Sequence, residues 1–226
     1  MGRSLKYEIP GDDFRVRALE LSERIAAGGD GLEGLFADTL APPFAVVLEI
    51  GFGRGEFLLD LAARSPACAF LGVEVSFKRV LKLARKLARS GLVNVRLLEA
   101  RAETVVRDLL PVGSLAEVWI NFSDPWPKAR HEKRRLLQRG FVADLACCLR
   151  PGARLHVATD HPPYAEQIHE VLSAEPLLAS AHAPEPWLAE VPGRMHTGYE
   201  TEWREQGRPL HFFEYRRTRP SEADRP

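Results

Sequence analysis

Residues 45–50, AVVLEI, are an almost unbroken apolar run that leads straight into Gly51-Phe52-Gly53-Arg54-Gly55 and then the helical pattern EFLLDLAAR. A run without polar alternation marks a strand buried on both faces, as in parallel sheets covered by helices. Glycines at alternate positions let the backbone turn tightly and bring its N–H groups close to a ligand. A strand, a glycine turn and a helix in that order commit the chain to an α/β fold with a ligand at the strand's C-terminal end. The alternation continues from Val46 to about Tyr215. Strands are predicted at 46–50, 69–74, 94–98, 117–122, 153–158, 177–182 and 210–216, with helices near 55–64, 77–89, 103–110, 132–149 and 162–173. The expectation is a Rossmann-like, seven-stranded and mostly parallel sheet with helices on both faces.

The glycine loop narrows the ligand class. The dinucleotide fingerprint G-x-G-x-x-G requires Gly or Ala three residues after its second glycine. Here that residue is Glu56, which weakens a nicotinamide reading. Glu49 and the GxGxG spacing instead resemble the first motif of class I S-adenosylmethionine-dependent methyltransferases, although such turns also occur as plain structure. Glu74 ends the next strand pattern, FLGVE, roughly 20 residues after the loop, where a carboxylate accepts hydrogen bonds from ribose hydroxyls. That position suits either cofactor class.

Residues 117–135, EVWINFSDPWPKARHEKRR, carry the second constraint. Two prolines one residue apart, Pro125 and Pro127, can continue neither a strand nor a helix, because each lacks a backbone N–H and fixes φ. The turn therefore holds Asp124 and Trp126 at a strand end, where open α/β sheets place ligands. Lys128, Arg130, Lys133, Arg134 and Arg135 follow, with His131 among them. A carboxylate and an aromatic ring beside a cationic rim suit chemistry on a base within a polyanion. Trp126 can stack on a base or pack under the turn. Lys128 and Arg130 are the best phosphate or base contacts, while Lys133, Arg134 and Arg135 can merely solvate the start of a helix.

The chain has 226 residues, with 31 basic and 31 acidic, so only local clustering can attract a polyanion. The helix at 77–89 is one such cluster. Phe77, Val80, Leu81, Ala84, Leu87 and Ala88 form an apolar stripe, with Gly91 as the expected C-cap. Lys78, Arg79, Lys82, Arg85, Lys86 and Arg89 occupy the other face, either as a solvated surface or as a nucleic-acid contact. Cys68, Cys147 and Cys148 make neither a paired framework nor a metal set, and the adjacent pair reads as small core residues. His131, His156, His161 and His196 lack ligand spacing, so no metal is expected. No apolar run approaches the roughly 18 residues of a membrane span and no signal peptide is evident, which points to the cytoplasm. Residues 1–44 are less regular, with a flexible break at 28–31.

Two further segments lie near the same strand ends. Asp160, between HVAT and HPPY, either caps the following helix or accepts from a guanine's N1–H and N2–H₂ groups beside Asp124. Residues 195–200, MHTGYE, read as a polar loop after a proline-rich connector.

The segment FSDPWPKARHEKRR, with LEIGFGRGEFL before it and ATDHPPYAEQ and TGYE after it, closely resembles the bacterial tRNA (guanine-N7)-methyltransferases over about residues 44–216. The resemblance implies a class I methyltransferase domain at 45–217, between an N-terminal extension at 1–44 and a flexible tail at 218–226. It implies methyl transfer from S-adenosyl-L-methionine to N7 of guanine 46 in the variable loop of tRNA, by a monomer or homodimer. By this similarity Glu49, Glu74, Ala100 and Asp124 fall on cofactor-binding positions, and Asp124 is also the catalytic position. Gly51, Gly53 and Gly55 would lie beneath the methionine part. Lys128, Asp160, Thr197 and Glu200 fall on substrate-binding positions.

Three residues depart from the family pattern. Ser123 replaces a proline and should loosen the turn. Ala100 stands where an Asp or Asn usually meets the adenine, so that contact is lost, taken over by a backbone N–H, or supplied by a neighbour. Gly198 replaces a lysine. A methyltransferase for another substrate would have no reason to carry DPWPKARHEKRR, and a dehydrogenase would want glycine at position 56. The rival from another class is a noncatalytic RNA-binding protein, which Ala100 favours and Glu49, Glu74 and Asp124 oppose.

Overall fold

The structure, a computed structural model, describes residues 8–26 and 31–218. Of the break expected at 28–31 only Gly31 is among them, and the tail beyond 218 lies outside them. Eight strands form one sheet: β1 (Arg15–Val16), β2 (Val46–Ile50), β3 (Ala69–Glu74), β4 (Val95–Glu99), β5 (Leu115–Asn121), β6 (Leu149–Thr159), β7 (Leu178–Ser180) and β8 (His211–Arg217). Their spatial order is β1-β4-β3-β2-β5-β6-β8-β7. All pairings among β1 to β6 are parallel, and β8 runs antiparallel to both β6 and β7. The eighth strand, one more than expected, is β1. It pairs only Arg15 and Val16 with Leu97 and Leu98, too short a run to show a period.

The helices are α1 (Ala18–Ala26), α2 (Glu56–Arg64), α3 (Phe77–Leu87), α4 (Ala102–Thr104, continuing as a π turn over Val105–Leu109), α5 (Arg139–Cys148), α6 (Pro162–Ser173) and α7 (Gly198–Glu205). Adjacent β2 residues serve opposite faces. Leu48 joins one core with α5 and α6, while Val47 joins the other with α2 and α3. Both faces are buried, which is why the strand reads as a continuous apolar run. Leu21 and Phe36, from the segment expected as an extension, are fully buried in the first of these cores.

The chain builds β2, β3 and β4 outward in one direction and then returns to place β5 and β6 on the other side of β2. The reversal leaves a crevice at the C-terminal ends of β2 and β5, where Ile50 sits opposite Ile120. Among the described residues, no helix is long and apolar enough to cross a membrane.

Several local expectations are corrected. The helix expected from 132 begins only at Arg139, because Ala129–Arg134 form a 3₁₀ turn and Arg135 is extended (ψ 139°). Of residues 195–200, expected as a polar loop, the last three open α7. α3 ends on Ala88, with Gly91 (φ 74°) in the turn beyond. His161, not Asp160, caps α6, its Nδ1 accepting from the Tyr164 N–H at 3.3 Å. Cys148 is buried, but Cys147 is exposed.

Candidate active site

Gly51, Gly53 and Gly55 have φ of 73°, 55° and 74°, a left-handed region that residues with a Cβ enter at a cost. At Gly55 a Cβ would also stand 2.4 Å from the Leu83 side chain. The loop is tied to β3 at two points. Gly51 N–H donates to Val73 O at 2.7 Å, and Gly53 N–H donates to Glu74 Oε2 at 3.2 Å. Glu74 Oε1 accepts from Ser76 N–H at 2.9 Å, and Arg79 approaches Oε2 at 3.4 Å. Two carboxylate oxygens offer about four acceptor sites and three are taken, so Glu74 keeps about one for a ribose hydroxyl, and a second would have to displace Arg79.

Glu49 forms the floor beside the loop. It is 2% exposed, and its Oε2 has no hydrogen-bond partner, nor has Nδ2 of neighbouring Asn121. Burial pushes the Glu49 carboxyl up to about 8, with Asn121 and the Arg194 charge acting in the opposite direction. Both residues line a hollow of about 30 Å³ that Thr197, Gly198 and Tyr199 cover. That is room for a group the size of a water or an ammonium, and the orphaned acceptor at its floor suits a cationic amine.

Asp124 follows β5 by three residues, across the crevice from the glycine loop. It is exposed, and Oδ1 accepts from Trp126 N–H at 3.0 Å, as an Asx turn does. Phe122 (φ 52°) and Trp126 (φ 41°) are non-glycine residues in left-handed conformations on either side of it. Such strain persists only where the surroundings over-determine it. Here Arg135, expected at a solvated helix start, is buried and supplies the anchor. Its Nε donates to Pro125 O at 2.8 Å, its Nη1 donates to Gln167 Oε1 at 2.6 Å, and its guanidinium lies 5.2 Å from the Tyr164 ring centroid. The hydroxyl of Ser123, expected to loosen the turn, lies 3.4 Å from Tyr164 OH, which also accepts from Leu137 N–H. Trp126 is half-buried, flanked by Arg134 at 5.0 Å and edge-on to His131.

Of the remaining expected residues, Lys128 is exposed on the rim. Asp160 follows β6 directly and pairs with Arg208 at 2.8 Å. Thr197 and Glu200 turn inward: Thr197 Oγ1 caps α7 by accepting from Glu200 N–H, while the fully buried Glu200 carboxylate pairs with Arg194 and Arg204. Gly198 sits where a Cβ would come within 2.8 Å of Glu56 Oε2. Ala100 is half-buried, and its N–H donates to Glu74 O at 3.2 Å, so that backbone donor is already engaged. Asn121 and Arg194 were not anticipated. Asn121 leaves a faint signal as a polar residue ending an apolar strand, whereas Arg194 in a proline- and glycine-rich connector leaves none. No group of three His, Cys, Asp or Glu side chains that could hold a metal ion occurs among the described residues.

Residues 44–213 match a family model described as "Putative methyltransferase". The tRNA (guanine-N(7)-)-methyltransferase of Polaromonas naphthalenivorans (strain CJ2) is 42% identical over 175 residues, covering 77% of this chain and 71% of that protein. The protein of the same name from Paracidovorax citrulli (strain AAC00-1) is 50% identical over 144 residues, which is 62% of this chain and 58% of the relative. The match thus spans less than two thirds of that relative's length. Among solved structures, the 16S rRNA methyltransferase KamB superposes with a TM-score of 0.61 at 19% identity, covering 84% of this chain and 94% of that one, a likeness of fold.

Proposed function

The chain belongs to the tRNA (guanine-N7)-methyltransferase family, and we propose that it transfers a methyl group from S-adenosyl-L-methionine to N7 of a guanine in tRNA, guanine 46 of the variable loop. The observation that carries this reading is the convergence of Glu49, Glu74 and Asp124 at the ends of three neighbouring strands, β2, β3 and β5, around one switch point. Both substrate and methyl donor are components of the cytoplasm.

The donor sulfonium, when bound, supplies an electrophilic methyl carbon that guanine N7 takes up directly through its lone pair. N7 carries no proton, so no residue has to act as a general base. The work of the site is alignment, and alignment alone removes a large part of a bimolecular barrier. Glu49 and Asn121 would receive the amino group, the glycine loop would lie against the methionine part, and Glu74 would hold the ribose. The adenine gains no side-chain hydrogen bond at position 100. Asp124 would orient the guanine and stabilise the positive charge that arrives on its imidazole ring. Lys128 and Asp160 would contact substrate. Thr197 and Glu200 would act by holding the α7 loop in place, since both side chains are occupied internally.

The test is transfer of labelled methyl to unmodified tRNA, with the product nucleoside identified. A 7-methylguanosine product that disappears when the variable-loop guanine is replaced is the expected result. A folded protein that binds tRNA and transfers nothing would overturn the reading in favour of a noncatalytic RNA-binding protein.

A further inference from the structure

We propose that the outer face of α3 is a docking surface for the phosphate backbone of tRNA outside the catalytic crevice. The proposal rests on the reading of tRNA as the substrate. No aspartate or glutamate occurs between Glu74 and Glu99, whereas Lys78, Arg79, Lys82, Arg85, Lys86 and Arg89 all fall in that stretch. In a chain with 31 basic and 31 acidic residues, this excess is a local one.

The cations are set by burial onto one side. Val80, Leu81, Leu83, Ala84 and Leu87 are buried, while Lys78, Arg79, Lys82, Lys86 and Arg89 are exposed. Arg79 meets Glu74 at 3.4 Å and Lys86 meets Glu56 at 3.5 Å. Lys78, Lys82 and Arg89 have no acidic partner among the described residues.

This arrangement works against the helix that carries it. Lys78 with Lys82 and Lys82 with Lys86 are like charges at i,i+4 within α3, which repel. The first turn holds Lys78 and Arg79 and no acidic residue, opposite to what the helix dipole favours. A face selected for solvation alone would carry acid–base pairs at these spacings. A polyanion laid along α3 relieves both conflicts.

Position supports the same partner. Leu83 packs so closely on Gly55 that a Cβ there would stand 2.4 Å away. Glu56 pairs with Lys86 on one side, and on the other its Oε2 lies so near Gly198 that a Cβ there would stand 2.8 Å away. The basic face therefore adjoins the rim of the crevice, within reach of a nucleic acid whose target base lies at Asp124. The apolar side of α3 is buried in the core, so this helix cannot insert into a lipid surface as amphipathic anchors do.

The test uses the full chain with K78Q, K82Q and R89Q combined, three exposed substitutions that leave every contact of the crevice in place. Affinity for tRNA is measured across a range of salt, alongside methyl transfer and binding of S-adenosylhomocysteine. The expected result is a salt slope shallower by about one unit for each phosphate contact removed, with a raised KM for tRNA. Turnover at saturating tRNA and affinity for S-adenosylhomocysteine should stay unchanged. An unaltered slope and KM, in a protein whose wild type makes 7-methylguanosine, would overturn the surface. A shallower slope in a protein that never methylates would instead overturn the proposed reaction and leave the surface standing. Retention of the wild type on anionic vesicles but not on tRNA, lost in the variant, would reassign the face to lipid.

Discussion

Arg194 reaches from the connector before α7 and donates through Nη2 to Asn121 Oδ1, 2.5 Å away at the end of β5. Its Nη1 donates to the Glu200 carboxylate and to Met195 O at 3.3 Å. The guanidinium is enclosed by the rings of Phe212 at 4.7 Å, Phe57 at 5.6 Å and Trp119 at 5.8 Å. One side chain thus fastens the loop bearing Thr197 and Gly198 to the switch point of the sheet, and its charge balances the buried Glu200 carboxylate while opposing the burial that raises the Glu49 carboxyl.

Replacing Arg194 by methionine should therefore cost about 3–5 kcal/mol, the usual loss when one member of a buried ion pair is removed. Arg194→Lys should recover part of this, because it restores the charge but not the two-way fork. Urea unfolding of both variants measures the effect. A loss below about 1 kcal/mol for the methionine variant would show that Arg204 alone satisfies Glu200.

Asp124 is exposed, so Asp124→Ala should leave stability within about 0.5 kcal/mol of wild type. Methyl transfer should fall by about 10²–10³ in kcat, the range for losing one preorganised electrostatic group. Asp124→Asn separates two roles. It keeps an acceptor for Trp126 N–H but loses the charge, so activity near wild type in that variant would assign Asp124 to shaping the turn.

Arg135 and Lys133 are two residues apart in one basic run, yet only Arg135 is buried. Arg135→Ala should cost about 1.5–3 kcal/mol, the scale of losing a charged hydrogen bond to a buried partner. It should also lower kcat by releasing Pro125 and the strained Trp126. Lys133→Ala should change stability little and act only through tRNA affinity. Equal effects of the two substitutions on unfolding would contradict the anchoring role.

These contrasts mark where the sequence was readable. β2, the glycine loop and α2 were legible because an apolar run, left-handed glycines and a helical period each leave a distinct local pattern. The stripe of α3 was legible for the same reason, and Glu74 and Asp124 followed from their places at strand ends. What escaped was set by tertiary contacts. Arg135 looks like its neighbours until Tyr164 and Gln167 fold over it, and that anchoring is what delays α5 to Arg139. α7 reads as loop because its buried face is built around a carboxylate, Glu200, whose arginine partners lie at 194 and 204. No periodicity in a single chain reports a buried ion pair.

Glu49 yields the sharpest pH prediction. Burial raises its carboxyl from 4.5 to about 8 in the folded protein. Above 4.5 the unfolded chain releases this proton while the folded protein keeps it, so the folded state binds more protons and Glu49 makes stability decline as pH rises towards 8. An ammonium in the adjoining hollow reverses the preference by favouring the charged carboxylate. Binding of S-adenosylhomocysteine near pH 7 should then release close to one proton, because Glu49 is mostly protonated about one unit below its pKa. Calorimetry in two buffers of different ionisation enthalpy measures that number directly. The release should vanish in Glu49→Gln and fade in the wild type by about pH 9, where the carboxylate is already ionised. Binding without any buffer dependence near pH 7 would mean that the amino group does not sit against Glu49, and the cofactor would have to be placed elsewhere along the glycine loop.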